Sequence, residues 1–278
     1  MKTSGFHLGL CALLLAAVMP LGAQAHRAWL LPSSTVLSGD EPWLTVDAAI
    51  SNDLFYFEHQ PMRLDGVSVL APDGSSVKLE NAGTGRYRST FDVRLEQKGT
   101  YKVVRLNEGL FASYQVDGET QRYRGSADGF ASAVPAGATD LRVTLTRGRI
   151  ETFVTAGAPT TEVFQPTGVG LELVPVTHPN DLFAGETAEF RFLLDGKPAA
   201  ALEVVVIPGG IRYRDQLQEA KYVTDSDGLI RIEWPAPGLY WLNATAESAP
   251  TAVTPGTEGA AERRERASYA ATLEVLPL

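Results

Sequence analysis

Thr224-Asp225-Ser226-Asp227-Gly228-Leu229-Ile230-Arg231-Ile232-Glu233-Trp234-Pro235-Ala236-Pro237-Gly238 holds a turn, a strand and a second turn. Ile230, Ile232 and Trp234 alternate with Leu229, Arg231 and Glu233, the period of a strand with one face in a core. Asp-Ser-Asp-Gly before it and Pro-Ala-Pro-Gly after it are turn chemistry. Working outward, similar runs predict strands at 171–174, 187–194, 202–207, 221–224, 229–234, 238–246 and 268–275. Asp195-Gly196-Lys197-Pro198 supplies a hairpin turn. About seven short strands in this order predict an immunoglobulin-like sandwich. Residues 247–267, with Pro, Gly and the run Glu262-Arg263-Arg264-Glu265-Arg266, are expected to form an exposed, mobile insertion.

The preceding half repeats the pattern with strands expected at 29–31, 44–50, 67–70, 87–94, 100–106 and 111–116. Residues 118–139 predict a long loop with a helical turn near 128–133. Residues 140–146 and 149–155 read as paired strands across Arg147-Gly148. The expected fold is all-β: two β-sandwich domains at 26–168 and 169–278, the C-terminal one immunoglobulin-like. Few segments keep a helical period for three turns, and 26 Gly with 17 Pro suit a turn-rich β protein.

Lys and Arg number 24 against 33 Asp and Glu, a net charge of −9, which argues against nucleic acid or anionic lipid as the general partner. Met1-Lys2, the apolar run from Leu8 to Val18, and Ala23-Gln24-Ala25 match a secretory leader, with cleavage expected after Ala25 and a bacterial periplasm as destination. Loss of residues 1–25 removes one Lys and no acid, leaving 23 basic against 33 acidic side chains, a net charge of −10. No later stretch has the length of a membrane-spanning helix. Cys11, the only cysteine, lies in the leader, too early in its apolar run for a lipid anchor. No disulfide is therefore expected after cleavage.

Cleavage would make His26 the first residue, putting an α-amino nitrogen and an imidazole on one side chain's reach. Such a nitrogen chelate suits Ni(II), Cu(II) and Zn(II), with copper favoured by intrinsic affinity. Deprotonation of an amine with a pKa near 8 makes binding stronger as pH rises. His59, in the aromatic-rich stretch Asn52-Asp53-Leu54-Phe55-Tyr56-Phe57-Glu58-His59-Gln60-Pro61, and His178, in Val176-Thr177-His178-Pro179-Asn180-Asp181, are the remaining histidines after cleavage. Metal candidates are thus His26, His59 and His178, with Glu58 or Asp181 as oxygen donors. Against that stand bland readings: a frayed His26, an aromatic packing patch around His59, and a linker residue held by Pro179. No His-Glu-x-x-His motif, phosphate-binding loop, Gly-x-Ser-x-Gly elbow or cysteine nucleophile supports a conventional active site. Asp225 and Asp227 read as a turn rather than a calcium loop. Arg122-Tyr123-Arg124 offers an anion grip or two solvated arginines, and Phe55-Tyr56-Phe57 a sugar platform or core packing.

Ala25-His26-Arg27-Ala28-Trp29-Leu30, Gly170-Leu171-Glu172-Leu173-Val174-Pro175 and Thr224-Asp225-Ser226-Asp227-Gly228 together resemble the exported family called domain of unknown function 4198. That resemblance covers essentially the chain after the leader. It implies metal uptake or handling, since the family is linked by name to nickel uptake and resembles the substrate-specific component of metal transporters. It implies no reaction. The leading expectation is a non-enzymatic periplasmic accessory protein that binds nickel or copper, with zinc or iron behind them, and serves a transport component of the inner or outer membrane. The alternatives are a copper-dependent oxidative enzyme with a histidine brace at His26, and a metal-free envelope interaction module.

Overall fold

The computed structural model describes residues 26–252 and 262–278; the expected leader lies outside the described residues. The first half contains β1 (Arg27–Pro32), β2 (Val36–Leu37), β3 (Trp43–Ser51), β4 (Gln60–Pro61), β5 (Val67–Leu70), β6 (Ser76–Val77), β7 (Glu80–Thr84), β8 (Ser89–Arg94), β9 (Gly99–Val116), β10 (Glu119–Gly125), α1 (Ala127–Ala133) and β11 (Thr139–Ala156). The second contains β12 (Leu171–Pro175), β13 (Thr187–Leu194), β14 (Lys197–Pro198), β15 (Glu203–Pro208), β16 (Ala220–Val223), β17 (Leu229–Glu233), β18 (Gly238–Glu247), β19 (Thr251–Ala252) and β20 (Glu262–Val275). Among the described residues no helix is long and apolar enough to cross a membrane.

These strands form three sheets. The first runs β1-β3-β8-β7 with β4 beside β3, and the third runs β12-β13-β14 with β17 beside β13. Between them lies one continuous sheet, β16-β15-β18-β20-β11-β9-β5-β6, carrying β10, β19 and β2 at its sides. It crosses the expected boundary at 168/169 because β20 pairs in parallel with β11, Ile150 opposite Ala270.

Pleating decides which sandwich each residue serves. Val205, Asn243, Ala270, Ile150 and Arg105 form one cross-strand row. On that face Ile150, Val154, Trp241 and Ala270 pack with Trp29, Leu44 and Phe91 of the first sheet. On the opposite face Tyr269, Ala271 and Leu273 pack with Phe190, Phe192 and Trp234 of the third. The outer sheets thus cover opposite faces of the central one, offset along it. In the second sandwich β12, β13 and β17 oppose β16, β15, β18 and β20, the strand distribution of an immunoglobulin-like domain. The Tyr240 hydroxyl at the start of β18 donates to Ala236 O at 2.7 Å, the tyrosine corner of such domains.

Several local expectations are corrected. No hairpin turns at Arg147-Gly148, because β11 runs straight through it. Gly148 instead clears room for its cross-strand partner: a Cβ there would meet the Asn107 amide oxygen at 2.4 Å. The expected strands 100–106 and 111–116 are one strand, β9. Part of the predicted 118–139 loop is β10, joined to β9 through Asp117-Gly118, both at positive φ, as a two-residue hairpin of the primed type requires. The run Glu262–Arg266 is not a mobile insertion but the start of β20, held by β11; residues 253–261 of that expected insertion lie outside the described residues.

The two halves are locked by a buried polar set on the second sandwich's side of the central sheet. Arg149 of β11 lies 3.1 Å from Glu151 and 3.2 Å from Glu172 of β12, all three being almost wholly buried. Tyr269 of β20 donates to Glu151 at 2.9 Å. Thr167 N–H, its hydroxyl and Gly168 N–H all donate to Glu172. Burial would raise the Glu172 pKa, yet these donors and Arg149 hold it below the usual carboxylate range. Burial and the Glu151 charge push the Tyr269 phenol well up, so it stays a donor. Removing one partner of such a set strands the remaining charges. Arg149→Leu is expected to lose about 3–5 kcal/mol and Tyr269→Phe about 1.5–3 kcal/mol, read from urea midpoints at neutral pH. Wild-type midpoints in both variants would remove this set from the account of stability.

Candidate metal centre beside the cleft between the sandwiches

His26 immediately precedes β1, whose Arg27 pairs with Ser51, and His59 immediately precedes β4, whose Gln60 pairs with Ile50. The two histidines therefore approach the end of β3 from its two flanks. Their rings stack, with centroids 3.8 Å apart and planes 9° from parallel. Both residues are exposed.

The His59 loop is held from three sides. Phe55 stands at φ 64, a costly conformation for a bulky residue, and meets Trp29 edge-on at 5.8 Å. Arg88 lies over Phe57 at 4.6 Å. From the second half, Arg212 lies over Tyr56 at 3.9 Å and approaches Asp53 at 3.7 Å and Glu58 at 3.8 Å. Arg214 braces the segment carrying Arg212 through the carbonyls of Pro208, Gly209, Gln216 and Leu217. Trp241 Nε1 donates to Ala28 O at 3.0 Å, tying β1 to β18. The histidine pair is thus positioned by both halves of the chain.

His178 lies elsewhere. Its Nε2 sits 2.9 Å from the Thr100 hydroxyl and 3.2 Å from Thr160 O, and its Nδ1 accepts from Asn180 N–H at 3.1 Å. The Thr100–Thr155 pair it joins points to the face of the central sheet opposite Ile150 and Arg105, whereas His26 lines a cleft on the Ile150 side. A sheet therefore separates His178 from the other two, and both its nitrogens are engaged. Among the described residues no three His, Cys, Asp or Glu side chains converge as a metal-binding group. Glu58 is turned to Arg212 and to Asp53 N–H, and Asp181 follows His178.

Two imidazoles fit a nitrogen-preferring metal as a partial donor set. Each lone pair lies in its ring plane, and a shared ion would need both nitrogens at about 2.0–2.1 Å, so the rings must rotate out of the stack to converge.

That cleft, about 790 Å³, lies between the edge strand β1 and the part of the central sheet that the first sheet leaves uncovered. Its floor carries Asn243, Thr245, Ser268 and Gly148; Arg27, Arg105, Arg124 and Arg266 line it, with Glu219 the one acid among its lining residues. Sequence reasoning passed over Arg105 and Arg212, whose only signal was a polar position in a strand or loop, and read Arg266 as part of a solvated charged run.

An all-β protein of two sandwiches joined by a common sheet, with a histidine pair at the cleft between them, is the class these observations define. The chain belongs to the family described as Domain of unknown function (DUF4198), whose model matches residues 23–248. No curated protein matches it. Among solved structures, the D0-D1 domain of intimin aligns at 11% identity over 86% of this chain and 96% of that one, with a TM-score of 0.21. A D1-D4 ectodomain fragment of ICAM-5 aligns at 12% identity over 90% of this chain and 51% of that one, with a TM-score of 0.20. Superpositions that poor carry no argument about what this chain does.

His178 generates a pH prediction. Burial lowers its pKa, outweighing the Thr160 carbonyl and Asp181, and Nδ1 protonation would also break the Asn180 bond. A depressed folded-state pKa gives full stability above the unfolded value near 6.5 and a loss as pH falls from there toward the folded value. Thermal melts from pH 7.5 to 5 should show that loss, and His178→Asn should flatten it. An identical slope in the variant would assign the loss to other groups.

Proposed function

We propose that this is a periplasmic accessory protein of metal uptake or handling, non-enzymatic, which binds a divalent transition metal through His26 and His59. The stacked approach of these two rings is the observation that carries the reading. Signal cleavage after Ala25 would add the His26 amine as a third nitrogen, and an all-nitrogen set favours nickel or copper over harder ions. The nickel association implied by the family resemblance agrees with that preference. The metal's partner on the delivery side would be a transport component of the cell envelope. His178, with both nitrogens engaged, serves the fold instead.

The test is calorimetric titration with Ni, Cu and Zn of protein whose N-terminus is His26 by mass, beside His59→Ala, His178→Asn and a form extended by one residue before His26. His59→Ala and the extended form should lose at least roughly tenfold in affinity, a loss that even indirect partners of a metal site produce, while His178→Asn should bind as the parent does. Affinity should also fall as pH drops, because protons compete for the same nitrogens. Equal binding in all four proteins would sink the reading.

A second reading, a copper-dependent oxidative enzyme, draws on one observation: His26 lines a cleft large enough for a substrate. Oxygen consumption by the copper-loaded protein, dependent on added reductant and on His26, tests it.

A further inference from the structure

The uncovered face of the central sheet continues beyond the cleft along β9, β10, β11 and β20. Strand register places Arg105, Asn107, Gly109, Phe111 and Ser113 of β9 on it, with Arg142, Thr144, Thr146 and Gly148 of β11. Arg122 and Arg124 of β10 pair with Ser113 and Phe111, and Arg264, Arg266 and Ser268 of β20 pair with Thr144, Thr146 and Gly148. A second concavity of about 620 Å³ adjoins the first there and shares Arg124 with it. The opposite face of the same strands is apolar, with Leu110, Ala112, Tyr114, Leu141 and Val143 in a buried cluster. A one-sided basic strip results, roughly 25 Å long at about 3.3 Å per residue from Arg105 to Ser113.

Most arginines of this strip have no carboxylate partner. Arg63, Arg88, Arg94, Arg147, Arg149, Arg212 and Arg231 each have a carboxylate within 4.0 Å. Among the described residues Arg27, Arg105, Arg122, Arg124 and Arg142 form no such ion pair, and of the arginines elsewhere Arg86, Arg191 and Arg214 form none either, although the chain carries 33 acids against 24 bases. Glu262 and Glu247 approach Arg264 and Arg266 at 4.0 and 3.6 Å. Burial lowers the Arg27 and Arg105 pKa, offset in part by Glu219 and Asp53 for Arg27 and by Asp65 for Arg105. Arg27 donates to Asn52 O, and Arg105 to Arg63 O and the Asn107 amide oxygen. The floor between the arginines carries Asn107, Thr144, Thr146, Gly148 and Ser268 with Phe111 among them, and turns apolar at the cleft end with Ile150 and Trp241.

We propose that this face binds an elongated anionic oligosaccharide of the uronate type. Separated guanidiniums fit separated carboxylates better than one compact ion, and a floor of Ser, Thr and Asn fits sugar hydroxyls. Single-stranded nucleic acid fits less well, since it calls for a row of exposed aromatic platforms. The side chains named here include Phe111 alone of that kind, and Arg124 lies over it at 5.0 Å. The assignment does not depend on the metal reading.

Calorimetry with a galacturonate octamer, at low salt in EDTA, tests it, with an oligodeoxythymidylate of equal charge as competitor class. The parent should bind the octamer with metal chelated, and added salt should weaken binding. Arg124→Glu combined with Arg142→Glu should weaken it at least tenfold. Arg63→Glu combined with Arg86→Glu, the same charge change on exposed residues outside the strip, should change it less than twofold. No binding by the parent, equal losses in the two double variants, or tighter binding of the oligonucleotide would overturn the proposal.

Discussion

Parallel pairing of β20 with β11 is the constraint on which the rest of the molecule depends. Without it the chain would be two sandwiches on a linker, each with an edge to protect. With it, each sandwich covers an edge of the other, and the last strand of the chain becomes the middle of an eleven-stranded sheet. The Arg149–Glu151–Glu172–Tyr269 set sits at that seam. Its members are satisfied only when β11, β12 and β20 are all in register, so it stabilises one arrangement of the halves and penalises any slip.

The cleft follows from the offset of the two outer sheets. One covers the central sheet's first face over β9 and β11, and the other covers the second face over β15, β18 and β20. Part of the first face is left bare, and that bare part is the cleft. The histidine pair stands at its wall, where β1 is the edge of the first sheet. The same geometry sets His178 apart from that pair, since it lies across the sheet.

The sequence was informative wherever one strand's alternation met clear turn chemistry. Ile230, Ile232 and Trp234 enter the core as their period requires, and the immunoglobulin-like order of the second half was legible. The reading failed where a residue's role was set by a partner far along the chain. Gly148 looks like a turn glycine, but its missing side chain answers to Asn107 across the ladder. Glu262–Arg266 looks like a solvated loop because its alternation has charge on both faces, and only pairing with β11 makes it a strand. Of the candidate site, the residue types were legible; their meeting was not.

By itself, then, the sequence determined the all-β class, the second sandwich's strand order and the short list of candidate histidines. Those depend on local period, turn preferences and side-chain chemistry. Only the tertiary structure decided that the sandwiches share a sheet, that His59 rather than His178 reaches His26, and that unpaired arginines gather on one bare face. Each of these depends on register between paired strands, from β1, β3 and β4 within one sheet to β11 and β20 more than a hundred residues apart, and a one-residue shift reverses every face.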